Sequence, residues 1–85
     1  MIERKMTVKS LAGLHMRPAG ELCKKAQKFE SRIIFRFRDK EFNAKSLLSI
    51  LSACVQQEDE IVLVCSGVDE QEAAEHIAAF IETAV

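Results

Sequence analysis

The chain has 85 residues, 48% of them hydrophobic and 29% charged, with 12 Lys and Arg against 13 Asp and Glu; this is the make-up of one soluble globular domain. A net charge of −1 without a basic stripe argues against nucleic acid as the main partner, and the longest wholly apolar run, Ile61 to Val64, is far too short to insert in a membrane. Charged Glu3, Arg4 and Lys5 follow Met1 where a signal peptide would carry apolar residues, so the cytoplasm is the expected compartment.

Ile2, Met6 and Val8 alternate with Glu3, Lys5, Thr7 and Lys9, which predicts a strand with one buried face; Arg4 interrupts the apolar side and belongs near a sheet end. A loop over Leu11 to Leu14 leads to the most informative stretch, Gly13-Leu14-His15-Met16-Arg17-Pro18. Pro18 has its φ fixed near the helical value and needs no partner for an N–H, so it favours the first turn of a helix. Ala19, Leu22, Cys23, Ala26 and Phe29 then follow the spacing of a one-sided apolar stripe, predicting a helix from about Met16 to Lys28.

His15 therefore stands before the free N–H groups of a helix, where the dipole favours an anion, and Arg17 adds a forked cationic donor. A neutral imidazole is a competent nucleophile toward a phosphoryl donor, and phosphoryl transfer asks mainly for positioning and charge neutralisation. No Walker-type glycine loop, nucleotide fingerprint or pair of metal-binding carboxylates accompanies it, so no cofactor and no metal are expected. The chain reads as a recipient of phosphate, not an enzyme, with the catalytic groups brought by a partner.

Ser31 to Phe37 predicts a second strand with Ile33, Phe35 and Phe37 on one face. Arg38-Asp39-Lys40 predicts a tight turn, and Glu41 to Ala44 a short third strand, so that the two form a hairpin. Ser46 precedes Leu47, Leu48, Ile50 and Leu51 as the N-cap of a short apolar helix. Gln56 to Asp59 is a polar connection, and the unbroken apolar run within Glu60 to Cys65 predicts a central strand. Asp69-Glu70-Gln71-Glu72 resembles a capping box opening a last helix, with Ala74, Ile77, Ala78 and Ile81 inward.

The order βαββαβα predicts an α+β fold, a two-layer open-faced sandwich in which three helices cover one face of a four-stranded antiparallel sheet. The other face would be solvated, which suits Glu3, Lys5, Arg36 and Arg38 but leaves Ile34, Val62 and Val64 awkwardly placed. Cys23, Cys54 and Cys65 lack metal-ligand spacing and are expected to be reduced core thiols, while His76, near Glu72 and Glu75, is expected to be a solvated surface residue.

Two motifs in register carry a resemblance that spans the whole chain. Gly13-Leu14-His15-Met16-Arg17-Pro18-Ala19 resembles the phosphohistidine signature of HPr, the histidine-containing phosphocarrier family of the bacterial phosphoenolpyruvate:sugar phosphotransferase system. Asn43-Ala44-Lys45-Ser46-Leu47-Leu48 resembles the regulatory serine signature of the same family. The resemblance implies a single HPr-like domain over residues 1–85, expected to be monomeric. In it, His15 would take phosphate on Nδ1 from enzyme I and pass it to enzyme IIA domains, and Arg17 would stabilise that phosphate. Ser46 would be the target of HPr kinase/phosphorylase, and Met16, Lys24, Leu47 and Leu48 would lie where the family docks its partners.

Two alternatives share this resemblance: an HPr-like regulatory paralogue that binds a transcriptional repressor through phosphoserine, and a phosphocarrier of a nitrogen-linked branch. The chain departs from the family pattern at Met16, where a small residue is usual, and at Cys54 and Glu58, where glycines are common. The departures put the end of the second helix and the choice of partner in question.

Overall fold

The computed structural model describes residues 1–9, 13, 14 and 16–83, and of Met16 only the helical backbone. Its elements are β1 (Ile2–Thr7), α1 (Met16–Gln27), β2 (Arg32–Phe37), β3 (Lys40–Asn43), α2 (Leu47–Ala53), β4 (Glu60–Ser66) and α3 (Glu70–Thr83). The sheet is antiparallel with the order β1-β4-β2-β3, so the strand with the unbroken apolar run is flanked on both sides. The α+β, open-faced architecture expected of the sequence is the one observed.

Period-two alternation sends Ile33, Phe35 and Phe37 of β2, and Ile61, Leu63 and Cys65 of β4, into one core with Met6 and Val8. Helical spacing brings Ala19, Leu22 and Ala26 of α1 and Ala73, Ala74, Ile77, Ala78 and Ile81 of α3 onto the same core. Arg4 is tolerated on that face because β1 is an edge strand; its guanidinium reaches Glu82 of α3 at 3.7 Å.

The opposite face resolves the awkward residues. Ile34 and Val64 are cross-strand partners there, each only 4% exposed. Arg36 spans the same face, its nitrogens 3.6 Å from Glu3 Oε1 and 3.6 Å from Glu41 Oε2. The long stems of such charged side chains cover apolar surface while their heads stay wet, so a solvated face can hold a small dry patch.

The hairpin turn is tighter than predicted. Arg38 and Asp39 have φ of 52° and 63°, and Lys40 already pairs with Phe37, so β3 begins one residue earlier than the sequence suggests and ends before Ala44. Left-handed backbone at both central residues matches the twist of the flanking strands. Ala44 is buried and its N–H donates to Ile33 O at 3.0 Å, extending the strand pairing past the end of β3.

Two further corrections concern side chains. Cys23 and Cys65 are buried free thiols, as expected, but Cys54 is an exposed one. It is the C-cap of α2, in left-handed conformation at φ 56°, with its N–H donating to Leu51 O at 3.3 Å. Glu58 likewise has φ 74°. The positions where glycine is usual thus do require left-handed backbone, and the chain accepts side chains there at a conformational cost.

Asp69 makes its side-chain hydrogen bonds across the fold and not within a capping box. It accepts from Glu30 N and Ser31 N, both at 2.8 Å, and from the Ser31 hydroxyl, tying the start of α3 to the entry of β2. The Ser31 hydroxyl first, then the Glu30 N–H, hold its carboxyl below the usual value of 3.8.

Because the folded state depresses this pKa, the clamp contributes fully above the unfolded value and is lost as pH falls below 3.8 toward the folded value. Asp69→Asn is expected to lower Tm at neutral pH and to flatten the decline of Tm on acidification, as checked by thermal melts from neutral pH downward. Cys54→Gly should relieve the left-handed cap and stabilise the fold by about 0.5–1 kcal/mol, a rise in Tm of about 2–6 °C, while Cys54→Ala should give none of that gain.

Candidate functional site

The stretch around His15 is held by its neighbours. Leu14 is buried, and its N–H donates to Val55 O at 2.9 Å. Gly13 is pressed against the same strand of chain: its φ is +65°, and a Cβ there would lie 2.4 Å from Val55 O and 2.8 Å from Gln56 Cα. Glycine is required at this position both for the backbone angle and for the close approach. The support is itself braced, since Gln56 N donates to Asp59 Oδ2 at 2.8 Å and Val8 N to Asp59 O at 3.0 Å. His15 and the Met16 side chain lie outside the described residues.

On the other side of His15, α1 begins at Met16 and carries no acidic residue in its first turn. The first N–H groups of a helix have no partners within it, so this end presents partial positive charge without a competing carboxylate in the turn. Pro18 is buried in that turn, as its fixed φ allows. Arg17 is 83% exposed, and its Nε lies 3.4 Å from Glu21 Oε1. Sequence reasoning missed this pair, although an acid four residues after a base on a predicted helix is a legible signal.

The second motif is built almost wholly from local hydrogen bonds. Ser46 N donates to Asn43 O at 3.1 Å, Lys45 N donates to Asn43 Oδ1 at 2.9 Å, and Asn43 N donates to Ser49 Oγ at 2.8 Å. Ser46 has φ −119° and ψ 116°, and its Oγ accepts from Ser49 N at 3.3 Å. It is the N-cap that the sequence predicts.

Lys45 fastens this motif to α1. Its carbonyl accepts from Gln27 Nε2 at 3.1 Å and from Cys23 Sγ at 3.4 Å, while its ammonium donates to Phe29 O at 2.6 Å. Ser46 therefore sits alongside the second half of α1. Lys24, next to Cys23, is exposed, as are Leu47 and Leu48, the latter at 80%. Leu47 and Leu48 are the exposed large hydrophobic residues of α2.

Among the described residues, no group of three or more His, Cys, Asp and Glu is arranged to hold a metal ion, and no helix is long and apolar enough to cross a membrane. His76 is exposed, in tilted ring contact with Phe29 at 5.7 Å between centroids. It stands on α3, remote in sequence from both motifs.

Comparison with known proteins gives a consistent result. The family model PTS-HPr, described as the PTS HPr component phosphorylation site, matches residues 2–83. The HPr-like protein Crh of Bacillus subtilis is 35% identical over 85 residues, covering 100% of both chains. The phosphocarrier protein HPr of Buchnera aphidicola subsp. Schizaphis graminum is 37% identical over 78 residues, 92% of each chain. Among solved structures, HPr from Thermoanaerobacter tengcongensis superposes with a TM-score of 0.92 at 37% identity, over 95% of this chain and 91% of that one.

Proposed function

The chain belongs to the HPr family, and on that premise we propose that it is a sugar-system phosphocarrier that accepts a phosphoryl group on His15 from enzyme I and passes it to enzyme IIA domains. The observation that carries the proposal is the opening of α1: the residue after His15 begins a helix with an acid-free first turn and an exposed Arg17, and the residue before it, Leu14, is anchored to Val55. Nucleophilic nitrogen, helix N–H groups and guanidinium meet the needs of a phosphoryl acceptor. The carrier works in the cytoplasm, as a monomer, and its partners supply the catalysis. HPr from Thermoanaerobacter tengcongensis has also been solved as a dimer, so the monomer is to be checked by light scattering.

In this reading Ser46 is the regulatory phosphorylation site of HPr kinase/phosphorylase, and Lys24, Leu47 and Leu48, with Met16, meet the partner proteins. Full-length similarity to Crh favours a second reading, a regulatory paralogue acting on a transcriptional repressor through phosphoserine. Retention of His15 supports the carrier, because a pure regulator has no use for the imidazole. A nitrogen-linked branch would share the His15 chemistry and differ in partners.

Incubation with enzyme I and phosphoenolpyruvate is expected to add one phosphoryl group, removed by acid and spared by mild base. An unmodified chain, or a His15→Ala variant that still takes label, would overturn the proposal. Arg17→Ala should fold normally yet lose about 1.5–3 kcal/mol of charge-assisted hydrogen bonding to the phosphoryl group as it is transferred, seen as slower acceptance and donation. Ser46→Asp should move stability and transfer in opposite directions. A carboxylate at the N-cap is favourable to the helix by about 0.3–1 kcal/mol, whereas next to Leu47 and Leu48 it must be desolvated when a partner docks. A parallel fall in Tm and transfer rate would reduce Ser46 to a structural cap.

A further inference from the structure

Arg17 is already occupied. Its Nε stands 3.4 Å from Glu21 Oε1, one turn along the helix, with the carboxylate side chain about half exposed. Glu21 is the sole acidic residue of α1. Helix stability accounts for only a small part of its place. An acid gains most from the helix dipole in the first turn, and Glu21 lies beyond that turn. For ion pairs four apart, the stronger order puts the acid on the N-terminal side, and here the base comes first. What the position does provide is reach to Arg17.

We propose that Glu21 is a positioning residue that competes with the phosphoryl group for Arg17 and so raises the phosphoryl-transfer potential of the carrier. The inference rests on the carrier reading above. In the transfer, the neutral His15 nitrogen attacks phosphorus; its bond to phosphorus forms as the donor's bond to phosphorus breaks, and the electron pair of that bond returns to the donor atom. Nothing is oxidised or reduced. The equilibrium between donor and carrier is therefore set by how well each stabilises the phosphoryl group.

Glu21 weakens the carrier's hold in two ways that act in the same sense. Arg17 must leave or share its carboxylate partner to meet the phosphate, and the carboxylate charge itself opposes a dianion placed near the same guanidinium. Both effects act in water at an exposed site, so they are modest and fade with salt. A loosely held phosphoryl group is an advantage to a carrier that must give it up again.

The test is the equilibrium ratio of phosphorylated chain to phosphorylated enzyme I, measured with limiting phosphoenolpyruvate. Glu21→Gln is expected to shift the ratio toward the phosphorylated chain by about two- to fivefold at low salt, and by much less at high salt. In an Arg17→Ala background the same substitution should have a clearly smaller effect, an outcome that a purely structural role of Glu21 would not give. An unchanged ratio at low salt, or an equal shift with and without Arg17, overturns the competition. A wild-type chain that takes no phosphoryl group at all overturns the carrier reading itself, so the two failures are distinct. Far-ultraviolet melts of each variant provide the check on folding.

Discussion

The carbonyl of Val55 fixes the backbone two residues before α1. It accepts the Leu14 N–H and leaves no room for a side chain on Gly13, so the backbone of both residues is held close against it. Val55 is in turn fully buried and follows the left-handed cap of α2. The end of the second helix thus becomes the floor beneath the start of the first. Because the cap at Cys54 sets the path of Val55, the placement of Leu14 is inherited from a residue forty positions further along the chain.

The two proposed phosphorylation sites share one support. The opening of α1 follows His15, and its second half holds Lys45 through Cys23 and Gln27, with Ser46 next in sequence. Between them lies the exposed Lys24, with Leu47 and Leu48 projecting from the neighbouring helix.

Much of this was legible in the sequence because the signals were local. Alternation located the strands, Ser46 announced its helix, and the apolar run of Ile61 to Val64 marked the central strand. The order of elements, with the two motifs, gave the fold. What escaped depended on groups distant in sequence. Asp69 looked like a cap for its own helix, and only the folded chain brings Glu30 and Ser31 to its carboxylate. The dry pair of Ile34 and Val64 became intelligible once Arg36 was seen bridging Glu3 and Glu41 on the same face. Cys54 was misread as a core thiol because its apolar neighbours in sequence outweighed the conformational demand of a helix end. The placement of Glu21 against Arg17 was local and available from spacing alone, yet a motif centred on His15 drew attention away from it.

The exposed cap has a practical consequence for watching the molecule at work. Of the three thiols, Cys23 and Cys65 are shut inside the core, and burial, aided by Glu70 and Asp69, pushes the Cys65 thiol up to about 11. Cys54 alone meets the solvent, one residue from the carbonyl that anchors Leu14. A fluorophore attached there under mild conditions would report from beside Leu14 and the end of α2 without any engineered residue, so the native chain already carries its own optical address.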